Sequence, residues 1–234
     1  MTGTLYGLGI GPGDPELITL KALRLLQAAP VLAYPALEDG ESLARAIIAP
    51  HLTAPKIELA IRIPMTVARE PAQAAYDKAA EEIGAHLSAG QDVAVLCEGD
   101  PFFYGSFMYL FGRIAENFPV EVVPGVSSLT ACATALQSPL SARNDILTVL
   151  PAPLSSDILR ARLAETDSAA IMKVGRHFER VRDLIMEMGL GDNARYIERA
   201  TMANEKILPL SEVPADAAPY FSMILIHKRG QAWK

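Results

Sequence analysis

The chain has 234 residues, half of them hydrophobic and 21% charged, which suits one large or two modest domains with ample core and excludes a disordered chain. A net charge of −6 argues against a general nucleic-acid or anionic-membrane surface, and no apolar run nears membrane-spanning length. The opening MTGTLYGLGIGPGD carries no signal-peptide pattern, and Cys97 and Cys132 have no CxxC spacing, so a cytoplasmic protein without disulfides or a metal site is expected.

Thr4 to Leu8 predicts a strand running into a glycine-rich turn, Gly7 to Asp14. Apolar residues at helical spacing then predict one helix over Glu16 to Ala29, with Asp14 as its cap and Pro15 as its first residue. This is the setting of a dinucleotide loop, but the spacing is wrong. A GxGxxG register meets Pro12 or Asp14 at its third glycine, and Pro12 has no N–H to offer a phosphate. NAD, FAD and P-loop nucleotides are thereby disfavoured. A tight turn that lets backbone approach a small ligand remains.

Pro30 to Tyr34 predicts a second strand, Ser42 to Ala49 a short helix, Ile57 to Ile63 a third strand and Glu70 to Leu87 a long helix closed by Gly90. His51 and His86 have no metal-like partner nearby in sequence. Val93 to Cys97 is a buried-strand run that stops at Glu98-Gly99-Asp100-Pro101, and a helix is expected over Tyr104 to Glu116. Val120 to Val123 is a strand, ending at Pro124-Gly125-Val126, where Ser127 or Ser128 can cap a helix over Leu129 to Leu136. Alternating strands and helices predict a doubly wound parallel sheet, and ligands bind such sheets at the carboxyl ends of the strands.

Beyond Gln137 the pattern changes. Strands are expected over Ile146 to Leu150, Ala169 to Lys173, Ala194 to Glu198, Glu205 to Leu208 and Ser222 to His227, with helices over Leu154 to Ala164 and Phe178 to Met188. The last three strands have little helix between them, which predicts a mixed sheet with helices. Two α/β domains are expected, 1–124 and 125–234.

Four segments stand in order: GIGPGDPELITLKA, EGDPFFYGSFMYL, VVPGVSSLTACA and MKVGRHFERV. Together they resemble the tetrapyrrole (corrin/porphyrin) methylase family over essentially the whole chain. Within it, GDPFFYGSFMYL is similar to the precorrin-2 C20-methyltransferases of cobalamin synthesis. The resemblance implies two α/β domains with an active-site cleft between them, S-adenosylmethionine as methyl donor, a tetrapyrrole substrate and a homodimer. It implies cofactor contacts at Pro12, Glu98, Gly99, Asp100, Phe103, Tyr104, Ser127, Ser128, Val174 and Ala200. Some relatives carry an Asp directly after the second strand's Tyr as a proton acceptor. Here Tyr34 is followed by Pro35, so that base is not carried over. Glu98, Asp100 and Tyr104 are the other candidates for a base, and none is assigned.

The implied substrate is a polyanion, and Arg62, Arg69, Arg143, Lys173, Arg176 and Arg199 stand in or beside predicted loops where they can meet its carboxylates. Other readings compatible with the residues are a methylase acting on another tetrapyrrole carbon or on cobalt-precorrin-2, and a tetrapyrrole- or nucleotide-binding module without turnover.

Overall fold

The computed structural model describes residues 1–38, 40–64 and 70–229. Arg69, one of the cations named above, lies outside them. The chain divides into two compact units, Met1–Ser127 and Ser128–Lys234.

The first unit holds β1 (Leu5–Gly9), β2 (Val31–Leu37), β3 (Ile57–Ile63), β4 (Val93–Cys97) and β5 (Val120–Val123). They form one sheet in the order β3-β2-β4-β1-β5, every pair parallel, as the alternation predicts. Its helices are α1 (Leu20–Ala28), α2 (Leu43–Ile48), α3 (Glu70–Ser88) and α4 (Phe107–Ile114). One sheet face packs on α3 and α4 through Ile83, Leu87, Phe107 and Leu110. The other packs on α1 and α2 through Ala22, Leu26, Ile47 and Ile48. Cys97 lies in the first of these cores, and burial holds its thiol far above the usual range. β4 is buried at all five positions because both of its faces are covered.

Three elements differ from expectation for visible reasons. The segment from Glu16 is not one helix. Asp14 caps a single 3₁₀ turn, Pro15–Leu17, by accepting from Glu16 N–H at 2.8 Å. Thr19 then caps α1 afresh by accepting from Ala22 N–H. α4 starts at Phe107 rather than Tyr104, because Tyr104 sits at φ +56, outside the helical region. β2 continues through Pro35 to Leu37. Its pairing with β4 ends at Ala33, so the ladder on that side has stopped before proline enters.

The second unit holds α5 (Ser128–Ala135), β6 (Leu147–Pro151), α6 (Ser156–Glu165), β7 (Ser168–Met172), α7 (Phe178–Glu187), β8 (Ala194–Glu198), β9 (Lys206–Leu208) and β10 (Ser222–His227). The sheet order is β6-β7-β10-β8-β9. β6 and β7 are parallel, and β10 runs antiparallel to both β7 and β8, which gives the expected mixed sheet. One face packs on α6 and α7 through Leu159, Leu163, Phe178 and Ile185. The other packs on α5 around Cys132, whose thiol burial pushes up to about 12.

Asp145 is the polar hub at the far end of this sheet. It accepts from Ala142 N–H at 2.8 Å, lies 3.1 Å from His227 Nε2 and is gripped by the Arg229 guanidinium. Those partners, Arg229 first, hold its carboxyl below the usual range. A depressed carboxylate contributes stability that is complete above its unfolded pKa and is lost as pH falls through the folded one. Acid unfolding followed by circular dichroism should therefore show stability falling below about pH 4, and Asp145→Asn should flatten that limb. Superimposable acid limbs for variant and wild type would remove Asp145 from this role.

Candidate functional site

β4, β1 and β5 are neighbours in that order, so their carboxyl ends deliver three turns side by side. Backbone stitches them together. Ile10 N–H donates to Cys97 O at 3.0 Å and Gly99 N–H to Gly11 O at 2.8 Å, an isolated bridge beyond the strands. Gly11 and Gly99 sit at φ +84 and +67, a region glycine enters without strain. Asp100 joins the third turn: its Oδ1 accepts from Phe102 N–H at 2.9 Å and its Oδ2 from Gly125 N–H at 3.1 Å. Gly9, Gly99 and Gly125 are packed backbone to backbone. A Cβ on Gly125 would lie 2.1 Å from Gly99 O, and one on Gly9 would lie 2.4 Å from Gly125 N.

The structure thus brings Gly99 and Asp100 into direct contact with the first and third turns, with Pro12 buried directly after Gly11. Glu98 turns toward α2. Burial raises its carboxyl above the usual range, and hydrogen bonds from its own N–H and that of Ala44 offset part of the effect. Phe103 and Tyr104 meet edge to face at 5.2 Å, and Tyr104 is 41% exposed. Ser127 closes the third turn, and Ser128 is the first residue of α5.

Val174 and Ala200 belong to the second unit and stand just beyond β7 and β8. Val174 is fully buried in the core. Of the cations, Arg62 donates to the carbonyls of Leu37 and Glu38, and Arg199 pairs with Glu198 at 3.0 Å. The contact partners Gly9, Gly125 and Ala44 N–H were not among the expected site residues. The signal for the two glycines was there: each follows closely on an apolar strand run.

The three turns contain no Lys, Arg or His between residues 9–14, 98–104 and 124–127. Their polar groups are mainly backbone, and the Asp100 carboxylate is engaged by two backbone N–H groups.

The chain matches the family of tetrapyrrole (corrin/porphyrin) methylases over residues 4–214. It belongs to that family. It is 43% identical, over 96% of its length and 95% of the relative's, to a protein of Sinorhizobium sp named precorrin-2 C(20)-methyltransferase. It is 32% identical, over 98% of both chains, to the cobalt-precorrin-2 C(20)-methyltransferase of Salmonella typhimurium. A solved uroporphyrin-III C-methyl transferase of Thermus thermophilus, complexed with S-adenyl homocysteine, superposes with a TM-score of 0.70 at 24% identity, over 99% of this chain and 95% of that one. The family and the two-sheet α/β fold expected from the four segments therefore hold.

Proposed function

We propose that this chain transfers a methyl group from S-adenosylmethionine to C20 of precorrin-2, giving precorrin-3A in cobalamin synthesis. The observation that carries the reading is similarity along nearly the whole chain to a relative of that name. The metal-free substrate is preferred because the relative named for the cobalt form is the less similar of the two. Among the described residues no helix is long and apolar enough to cross a membrane. A homodimer working in the cytoplasm, with a tetrapyrrole as its small-molecule partner and neither nucleic acid nor membrane, completes the proposal.

S-adenosylmethionine supplies a methyl group on a sulfonium, which is already a good leaving group. What the protein adds is alignment and exclusion of water, which together can lower a barrier by about 7–11 kcal/mol. Pro12, Glu98, Gly99, Asp100, Phe103, Tyr104, Ser127, Ser128, Val174 and Ala200 are proposed as the contacts of the donor. In this reading the Gly11–Gly99 bridge keeps two of the turns in fixed register. Asp100 fixes the third turn against them. Phe103 and Tyr104 offer an apolar edge. No residue is assigned as the base that takes the proton from the methylated carbon.

Incubation with methyl-labelled S-adenosylmethionine and precorrin-2 should put the label on C20. Label at another ring carbon would reject the position, and no transfer to any tetrapyrrole would reject the activity.

A further inference from the structure

The segment after β1 is fastened at both of its ends. At one end, Gly11 O accepts from Gly99 N–H at 2.8 Å. At the other stands a side chain from a distant part of the sequence. His51 closes a 3₁₀ turn, Ala49–His51, that runs on directly from α2. Its Nε2 lies 2.9 Å from Pro15 O, 36 residues away along the chain. A carbonyl oxygen only accepts, so Nε2 carries the proton and donates it.

Pro15 O also accepts from Ile18 N–H, the bond that closes the 3₁₀ turn Pro15–Leu17. That bond is long, 3.3 Å, and the imidazole holds the same oxygen at the more usual distance. Leu17, at the end of this turn, packs against Gly11: a Cβ on Gly11 would lie 3.2 Å from Leu17 O and 3.3 Å from Leu17 Cβ. A chain of contacts therefore runs from the imidazole through Pro15, Leu17 and Gly11 to Gly99. Between the two fastened ends lie Pro12, Gly13 and Asp14, and Pro12 is a proposed donor contact.

The mount for His51 is rigid. α2 is anchored in the core by Ile47 and Ile48, which are almost completely buried. The same helix also serves the turn after β4, because Ala44 N–H donates to the Glu98 carboxyl. One short element thus grips two of the three turns, the first through His51 and the second through Ala44. Holding a site by packed elements of this kind keeps its geometry fixed before a ligand arrives.

We propose that His51 is a positioning residue for the methyl donor: its imidazole N–H on Pro15 O holds the Gly11–Asp14 turn in place against the Gly99 bridge. This rests on the reading of the three turns as the donor's site. His51 acts only through Pro15.

The test removes the donor N–H in two ways, His51→Phe, which fills the space, and His51→Ala, which leaves it open. Calorimetric affinity for S-adenosylhomocysteine should fall about fivefold in both, and His51→Gln, whose amide can donate to the same carbonyl, should stay within about twofold of wild type. In turnover, KM for S-adenosylmethionine should rise by the same factor as the affinity falls, with kcat and KM for precorrin-2 unchanged. Lys56→Met is the control. Lys56 Nζ donates to Gln27 O and Ala29 O at the opposite end of α1, so its loss should lower the melting temperature and leave donor affinity alone. The expected binding pattern with no methylation of precorrin-2 by the wild type would uphold the role of His51 and reject only the reaction. Wild-type affinity in His51→Phe and His51→Ala, no recovery in His51→Gln, or an equal loss of affinity in Lys56→Met would each overturn it. Failure of both donor-less variants to fold would make the bond a purely structural one and overturn the proposal as well, and a wild type that does not bind S-adenosylhomocysteine would overturn it together with the donor site.

Discussion

Gly125→Ala is expected to disable the enzyme while leaving every ionisable group in place. The added methyl would sit 2.1 Å from Gly99 O, 2.7 Å from Gly9 Cα and 2.8 Å from Gly9 C. All three are backbone atoms at the ends of paired strands, so no side-chain rotation relieves the clash. Overpacking of this kind costs about 1–3 kcal/mol and is felt as backbone displacement. For a chain this long each kcal/mol lowers the melting temperature by about 2–4 °C. The displacement falls on the three turns that carry Gly99 and Asp100, so calorimetric affinity for S-adenosylhomocysteine should drop by about tenfold or more. Gly112→Ala supplies the control. It sits inside α4 with nothing within 4 Å of the added methyl, and should leave binding unchanged and stability the same or slightly higher. Wild-type affinity in Gly125→Ala would mean that the contact of the three turns is not part of the binding site.

That contact is also where the sequence stops being informative. The strands Ile57–Ile63, Val93–Cys97, Val120–Val123, Ala194–Glu198 and Ser222–His227 match the expected segments residue for residue. These runs are bounded by strong breakers, and the two that are buried throughout, Val93–Cys97 and Ser222–His227, can hardly be misread. Sheet order is different. Gly9, Gly99 and Gly125 meet only because β4, β1 and β5 are neighbours, and hydrophobic periodicity carries no information on which strand pairs with which. The misplaced helix starts have a common cause. Thr19 interrupts an amphipathic pattern with a second cap, and Tyr104 enters the left-handed region, though neither breaks the 3.6-residue spacing that suggested a helix. Lys173 and Arg199 enter the left-handed region with no sequence signal either, since long cations look like ordinary solvated residues. The EGDP turn was legible because Gly99 and Pro101 bracket a carboxylate at a strand end, a combination that the turn geometry then explains through Asp100.

Asp100→Asn should then weaken donor binding through the turn rather than through charge. Both carboxylate oxygens are occupied by backbone donors, Phe102 N–H at 2.9 Å and Gly125 N–H at 3.1 Å. An amide can accept only one of these bonds, and its NH₂ opposes the other N–H. A hydrogen bond to a charged group contributes about 1.5–3 kcal/mol, so losing one corresponds to roughly a 10- to 100-fold change in an affinity that depends on the turn. Asp100→Ala removes both bonds and should be worse. The two ligands separate the possible causes. S-adenosylmethionine carries a positive sulfonium, and S-adenosylhomocysteine is the same molecule without the methyl and the charge. If Asp100 acts by holding Phe102 and Gly125, both ligands lose affinity by the same factor in Asp100→Asn. A loss confined to S-adenosylmethionine would show that the carboxylate meets the sulfonium directly, and unchanged affinity for both would remove Asp100 from the site.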